Sequence, residues 1–500
     1  MKYLLGIDIG TSSCKVALFD FSGNVLAQAS EKYPVYQPKP SWAEQSAEDW
    51  YSGAVRAIRR VLAQGYDPGE IAGIGVDGQS WSAIPVDKAG DPLANTPIWM
   101  DTRAEEICRE LRERIGEERI FSISGNPLSP TYSMPKVLWF QKHVPELYRK
   151  THCFLQSNSY IVYKLTGVLS QDMSQGYGYS FFDLARSEYD RSMAEEMGCD
   201  MEKLPPLYAC HEIVGTVTAT AAALTGLAEG TPVVAGGLDA ACATLGAGVL
   251  HHGQTQEQGG TAGGFSLCTD RYIAHPKLVC SAHVAPGKWL LQGGTVGGGG
   301  TMEWYRKNFG QAEQLLRPDE NPFEALTAPC HDIPAGSAGV IFLPYLQGER
   351  SPIWDPEAKG VFYGISFAAT KAHFTRAVLE GCAYALRHNI ETAHEAGARP
   401  EKLIATGGAA NSLLWTQIKS DVTGLPIAVS ANDAASCLGA AILAGVGTGI
   451  YPDFESAVQR CVTVTRTHTP DSSTRAVYDK SYGIYREIYE NLKETMRKSL

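Results

Sequence analysis

Two aspartates stand in settings where a carboxylate could do chemistry. Asp8 closes an apolar run, Tyr3 to Ile9, between Gly6 and Gly10, and is followed by Thr11, Ser12 and Ser13. A carboxylate at such a strand end can orient magnesium or its coordinated water, while the exposed amides of the turn receive phosphate oxygens. The same residues also suit an ordinary β-hairpin in which Asp8 satisfies its own turn. Asp239 follows the apolar Pro232–Ala235 and the pair Gly236-Gly237, and precedes Ala240-Ala241-Cys242-Ala243. At the positive end of a small-residue helix it stays ionised and can accept a hydroxyl proton; equally, it can serve as a helix cap. The likeness between Gly6-Ile7-Asp8-Ile9-Gly10-Thr11 and Gly236-Gly237-Leu238-Asp239-Ala240-Ala241 suggests two loops of related purpose. Neither a P-loop nor a dinucleotide-binding glycine fingerprint occurs.

The elements that must hold these residues follow from pattern. Tyr3–Ile9, Lys15–Phe19 and Val25–Ala29 read as short strands joined by tight turns, an antiparallel meander. Trp50, Ala54, Ala57, Ile58 and Val61 outline an amphipathic helix started by Ser46 and the acidic Glu48-Asp49. Ile71–Val76 is a buried strand running into Asp77-Gly78-Gln79-Ser80. From Arg103 to about Ala228 the chain reads as mostly helical, with breaks at Gly125-Asn126-Pro127 and Leu204-Pro205-Pro206. The glycines at 236–237, 263–264 and 293–300 sit in apolar surroundings, which favours close backbone approach over a flexible linker. Near the end, Leu403–Thr406 is a strand running into Gly407-Gly408. A helix carrying Leu414, Ile418 and Val422 follows, then a strand Pro426–Val429 and a helix Asp433–Leu443. Phe374, Val378, Cys382 and Leu386 recur every four residues and should form a buried stripe, with Glu380 supporting packing or a salt bridge.

The chain's bulk properties narrow the classes. Five hundred residues exceed one comfortable core, so two domains are expected, 1–248 and 249–500. A net charge of −11 argues against nucleic acid as a partner. No run of eighteen apolar residues occurs, and the N-terminus shows no leader pattern, so a cytoplasmic protein with no membrane partner is expected. The twelve cysteines lack a C-x-x-C pair and read as reduced, small hydrophobes.

The chain resembles the FGGY carbohydrate kinases of the actin-like ATPase superfamily, and is most similar to their pentulose (xylulokinase-like) branch. Gly6–Thr11 resembles the family's first phosphate loop, and Trp42-Ala43-Glu44-Gln45 its Trp-x-Glu-Gln element. The pattern Gly360-Val361-Phe362-Tyr363-Gly364-Ile365, followed by His373-Phe374-Thr375-Arg376-Ala377-Val378-Leu379-Glu380, resembles the family signature. The resemblance spans nearly the whole chain. It implies two α/β, actin-like (ribonuclease H-like) domains, each with a mixed five-stranded sheet flanked by helices.

It also implies roles. Asp239 would be the catalytic base. Asp8 would place Mg2+, with Thr11, Ser12, Gly260 and Thr261 receiving phosphate; Ala262 stands where related enzymes often have serine. Gly407, Gly408, Ala409 and Asn411 would form the nucleotide-binding turn for ATP. Gln79, Ser80, Trp81, Trp99, Asp101 and Arg103, with Asp239, would line the acceptor site. Ser80-Trp81 departs from the xylulokinase-like Gln-Met-His, and no glycerol-kinase-like Arg-Glu pair follows Gln79. The implied reaction is ATP-dependent phosphorylation of a small sugar, a pentulose such as D-xylulose, with D-ribulose, an L-pentulose or a pentitol as alternatives. Glycerol or another polyol, and a non-catalytic, sugar-responsive interaction protein, are the remaining readings. A homodimer is the family's expectation.

Overall fold

Burial and strand propensity meet first at the N-terminus. Strands β1 (Tyr3–Ile9), β2 (Ser13–Asp20) and β3 (Val25–Lys32) form the expected antiparallel meander. Helix α1 (Ala47–Leu62) packs across β2 and β3. Its Ser46 side chain accepts from the Asp49 amide, and Trp50, Ala54, Ala57, Ile58 and Val61 face inward. Strand β4 (Ile71–Gly78) is buried along its whole length and runs parallel to β1. A strand covered on both faces reads as an unbroken apolar run, which is why the pattern exposed it.

The segment after β4 alternates helices, among them α2 (Ser133–His143), with strands of two or three residues, so it is less uniformly helical than its sequence suggests. Strands β5 (Ile213–Thr216) and β6 (Pro232–Val234) return to the first sheet. Its order is β5-β6-β4-β1-β2-β3, with Gly237–Leu238 pairing to the end of β4. Helix α3 (Asp239–Gly246) follows immediately.

The second sheet comprises β7 (Gln254–Gly259), β8 (Gly263–Thr269), β9 (Val279–Ala282) and β10 (Trp289–Thr295), then, after helices α4 (Gly299–Phe309) and α5 (Lys371–Glu395), β11 (Lys402–Thr406). Helix α6 (Leu413–Thr423), β12 (Ile427–Ser430), helix α7 (Ala435–Gly447) and β13 (Val464–His468) complete it, in the order β9-β10-β8-β7-β11-β12-β13. The computed structural model describes residues 1–431 and 434–499. The helix expected from Asp433 is described from Ala435; Asp433 itself lies outside the described residues.

Both sheets are mixed and flanked by helices, but among the described residues each counts seven strands rather than five. The surplus lies at edges and ends: the two-residue Gly237–Leu238 and the half-exposed β5 and β13 carry too little apolar pattern to be read. On α5, Val378, Cys382 and Leu386 are buried and Phe374 is partly so, as the four-residue spacing requires. Glu380 accepts from Arg376, Ser337 and the Gly336 amide. All twelve cysteines are free and buried. Among the described residues no helix is long and apolar enough to cross a membrane.

Helix α7, from the second half of the chain, lies on the first sheet against β1 and β4 and crosses α3. Glycine makes that approach possible. A Cβ at Gly6 or Gly75 would collide with the carbonyl of Cys437 or Ala440, and one at Gly439 with the carbonyl of Cys242. The two halves therefore share packed surface behind the site instead of meeting only through a linker. One core cluster joins Leu4 and Ala72 to Cys242, Ile404 and Leu438.

Candidate active site

Three carboxylates gather where β1, β4 and Gly237–Leu238 end. The register pairs Gly6 with Gly75, Ile7 with Val76 and Asp8 with Asp77, and Gly237 in turn pairs with Asp77. Each carboxylate ends the same triplet, glycine, an apolar residue and aspartate: 6–8, 75–77 and 237–239. Asp77 was not singled out from the sequence, and that repeated triplet is the signal that could have found it.

Asp8 accepts from the Ser436 hydroxyl at 2.8 Å, so the first residue of chemical interest is held by α7. Burial raises its pKa, opposed by bonds from Ser436 and Asp77 and by the charge of Lys15. Asp77 is fully buried, and among the described residues no donor bonds either of its oxygens. Burial first, then the negative charges of Asp8 and Asp239, push its pKa well above the carboxylate range. The pair is satisfied when one proton lies between Asp77 and Asp8. Asp239 is the first residue of α3 rather than its cap, and its Oδ1 accepts from the Ala240 amide at 2.6 Å. Burial, reinforced by Asp8, raises its pKa to about 7. A carboxylate so tuned can take a proton near neutral pH.

The first loop is braced from beneath. Trp99 Nε1 donates to the Thr11 hydroxyl at 2.9 Å. Gln45 Nε2 donates to the Thr11 carbonyl, and Gln79 Nε2 donates to Gln45 Oε1, both at 2.8 Å. Ser12 is exposed beside them.

In the second half, Gly260 and Thr261 are exposed, and their carbonyls accept from the Gly299 and Gly300 amides at 2.8 and 2.7 Å. Gly407 adopts φ +83°, which a side chain would strain, and leads into a short turn of 3-10 helix, Gly408–Asn411. These segments border one cavity of about 460 Å3, lined by Gly260, Thr261, Gly300, Gly408, Ala409 and Asn411 among others. The sites named from the sequence for phosphate and nucleotide in this half thus share one open space. Asp8 and Asp239 do not line it. The helix that Asp239 begins is tied to the strands beside it: Thr244 on α3 donates to Gln256 Oε1 on β7, and Gln256 Nε2 donates to the Thr406 hydroxyl just before Gly407.

The residues named for the acceptor separate into two groups. Ser80, Trp81 and Trp99 are partly accessible. Trp81, at φ +61°, packs its ring against Tyr132 and Tyr177 with centroids 4.7 and 5.6 Å away. Asp101 and Arg103 are closed off. Asp101 is fully buried, and the Arg103 side chain is 3% exposed. Arg103 donates Nε to both Asp101 oxygens and an Nη to Asp101 and Glu44, and lies 3.6 Å over the Trp42 ring. Asp101 also accepts from the Ala43 amide at 2.7 Å. The Trp42–Gln45 element is therefore a brace, with each of its four residues tied to the first loop or to the Asp101–Arg103 pair.

Two mixed sheets, the first ending in three carboxylates and the second in glycine turns around a cavity, have the architecture of a phosphotransferase. The particular family is shown by comparison: residues 3–246 and 259–448 match the N-terminal and C-terminal domains of the FGGY family of carbohydrate kinases. The chain is 31% identical to the xylulose kinase of Bacillus subtilis, across 99% of this chain and 98% of that one. The ligand-bound xylulose kinase of Lactobacillus acidophilus superposes with a TM-score of 0.90 at 27% identity, covering all of both chains. Gluconate kinase of the same organism gives 0.90 at 26% identity, over 99% of each. The protein belongs to the FGGY family and is an ATP-dependent kinase of a small sugar.

Proposed function

We propose that the protein transfers the γ-phosphoryl group of ATP to a hydroxyl of a pentulose, with D-xylulose the leading acceptor and D-ribulose, the L-pentuloses and pentitols next. The observation that carries this reading is Asp239, a carboxylate at the start of α3 with its pKa raised to about 7 beside Asp8. The acceptor hydroxyl oxygen attacks the γ-phosphorus as its proton passes to Asp239, and the bond from phosphorus to the ADP oxygen breaks. ATP suits the cavity bordered by Gly408–Asn411, where glycines at 260, 300 and 408 let phosphates approach the backbone.

Asp8 fits a role in holding Mg2+, and Thr11, Ser12, Gly260 and Thr261 a role in receiving phosphate oxygens. Among the described residues no cluster of three or more acidic, histidine or cysteine side chains is arranged to hold a metal by itself. Magnesium is commonly held by one or two carboxylates together with water and substrate phosphates. When bound, the ion would neutralise the charge developing on the phosphates. We place the domain divide at 248/249 and the acceptor against the first sheet.

A gluconate acceptor has the likeness to gluconate kinase in its favour. Against it, the buried Lys136 spends all three ammonium donors on protein carbonyls, and the charge of Arg103 is already paired with Asp101 and Glu44. The test is ADP release across stereoisomeric pentuloses, pentitols, gluconate and glycerol, scored by kcat/KM with the product confirmed by mass. The highest value should fall on a pentulose. A preference for gluconate or glycerol overturns the acceptor, and no sugar-dependent release by folded protein overturns the kinase.

A further inference from the structure

Lys136, on α2, is fully buried. Its ammonium makes three hydrogen bonds, to the carbonyls of Trp81 at 2.9 Å, Ile98 at 2.7 Å and Thr131 at 2.6 Å. An ammonium has three donors, so all are used. Among the described residues no carboxylate bonds it. Asp101, which contributes charge from a distance, is committed to Arg103 and the Ala43 amide. Burying a lysine without an ion-pair partner is costly, and an apolar side chain would fill the space more cheaply. Burial pushes the lysine down to about 7, while three accepting carbonyls favour the charged form.

The three carbonyls belong to three separate segments, and each leads to a residue on the acceptor side. Trp81 follows Gln79 and Ser80. Ile98 precedes Trp99, which holds Thr11. Thr131 precedes Tyr132, whose ring packs on Trp81. The same helix adds a second tie, because the Ser133 hydroxyl donates to the Ser82 carbonyl at 3.0 Å. Trp81 sits at φ +61°, a conformation that persists only when its surroundings hold it.

We propose that Lys136 is a positioning residue of the acceptor site, a cation that sets the three segments around the sugar by gathering their carbonyls onto one point. The inference rests on the reading of this face as the acceptor site. Lys136 does not touch the reacting atoms. Its effect therefore reaches the acceptor and spares the nucleotide turns of the second half.

Lys136→Met removes the donors while keeping the chain length, and Lys136→Gln retains two donors. With D-xylulose as probe, Lys136→Met should raise the acceptor KM by ~10- to 100-fold, the cost of misplacing reacting groups by about 1 Å. The KM for ATP should stay within about twofold, and Lys136→Gln should fall between. Hydrogen exchange should quicken at 79–82, 97–101 and 129–132, and stay unchanged at 254–261 and 406–412. Unchanged acceptor KM in a folded variant overturns the proposal, as does an equal loss of acceptor and ATP binding, the mark of a merely structural lysine. If neither variant folds, exchange on the wild-type protein with and without D-xylulose decides: joint protection of the three segments supports the role, and its absence overturns it. If the wild type phosphorylates no sugar, the functional reading falls, and exchange in the variants alone decides whether Lys136 holds the segments.

Discussion

Asp8 and Asp77 stand opposite each other on adjacent parallel strands, and among the described residues no donor bonds either oxygen of Asp77. Two carboxylates so placed cannot both ionise, so Asp77 is the neutral partner that fixes Asp8. Asp77→Asn keeps a donor for Asp8 and should preserve kcat within about threefold, because the charge at that position does not change. Asp77→Ala removes the donor and opens a cavity, at a cost of about 1–3 kcal/mol, and should raise the magnesium requirement as Asp8 loses its brace. Thermal melting and magnesium activation curves measure both effects. A folded but inactive Asp77→Asn protein would show that Asp77 must be ionised.

Asp239 should impose an acid limb. Below about 7 it carries a proton and cannot take another, so kcat/KM should fall ~10-fold per pH unit there. Asp239→Asn should lower kcat by roughly 100- to 10,000-fold and remove the limb. Stability runs in a fixed direction. The folded pKa near 7 exceeds the ordinary 3.8, so the native state binds the extra proton between those values, and that contribution is lost as pH rises through 7. Asp239→Asn should therefore melt above the wild type at pH 8. Rate profiles and melting curves across pH 5–9 test both statements.

The packing of α7 on the first sheet depends on glycines that face carbonyl oxygens. Gly439→Ala or Gly75→Ala puts a methyl group where the Cys242 or Ala440 carbonyl already lies. Backbone must shift to admit it, at a cost of about 1–3 kcal/mol or more. Because α7 also carries Ser436, the bond to Asp8 should loosen with it. Urea denaturation should show lower midpoints for both variants, with catalysis falling before the fold is lost.

Local pattern made the meander, α1, β4 and the stripe of α5 legible, because each buries a face with its own period. Asp8 and Asp239 were legible because glycines mark strand ends where the backbone must pass closely. Asp77 was hidden, since its partner Asp8 lies 69 residues away and only strand pairing brings them together. Lys136 was hidden for the same reason: its partners are carbonyls of distant loops, and a carbonyl leaves no mark in a sequence. Asp101 and Arg103 were visible as polar residues, but their burial and mutual pairing became evident only in three dimensions.

Gly407 tests the nucleotide side alone. At φ +83°, any side chain strains the turn, and a Cβ there would lie 2.9 Å from the Gly259 carbonyl oxygen. Gly407→Val should weaken ATP binding at least ~10-fold, since strain and displacement of Gly259–Gly260 each cost about 1 kcal/mol or more. Calorimetry with ATP and with the sugar should show the loss for ATP only. Unchanged ATP affinity in folded protein would place the nucleotide elsewhere.

Arg103 offers the sharpest distinction between a residue that binds the acceptor and one that builds its site. Its guanidinium makes a fork with Asp101, reaches Glu44 and covers the Trp42 ring, and Trp139 lies 5.0 Å to another side. These contacts need a planar group with several donors, which lysine lacks. Arg103→Lys keeps the charge but leaves a buried carboxylate short of hydrogen bonds, and should cost about 1–3 kcal/mol. Loss of the brace should also free Ala43 and Glu44, and through Gln45 slacken the Thr11 loop. A direct sugar contact would instead raise the acceptor KM with little change in stability. Urea denaturation beside acceptor and ATP kinetics separates the two. The brace predicts a stability loss that accompanies poorer binding of both substrates, whereas a rise in acceptor KM alone, at unchanged midpoint, would return Arg103 to the acceptor site.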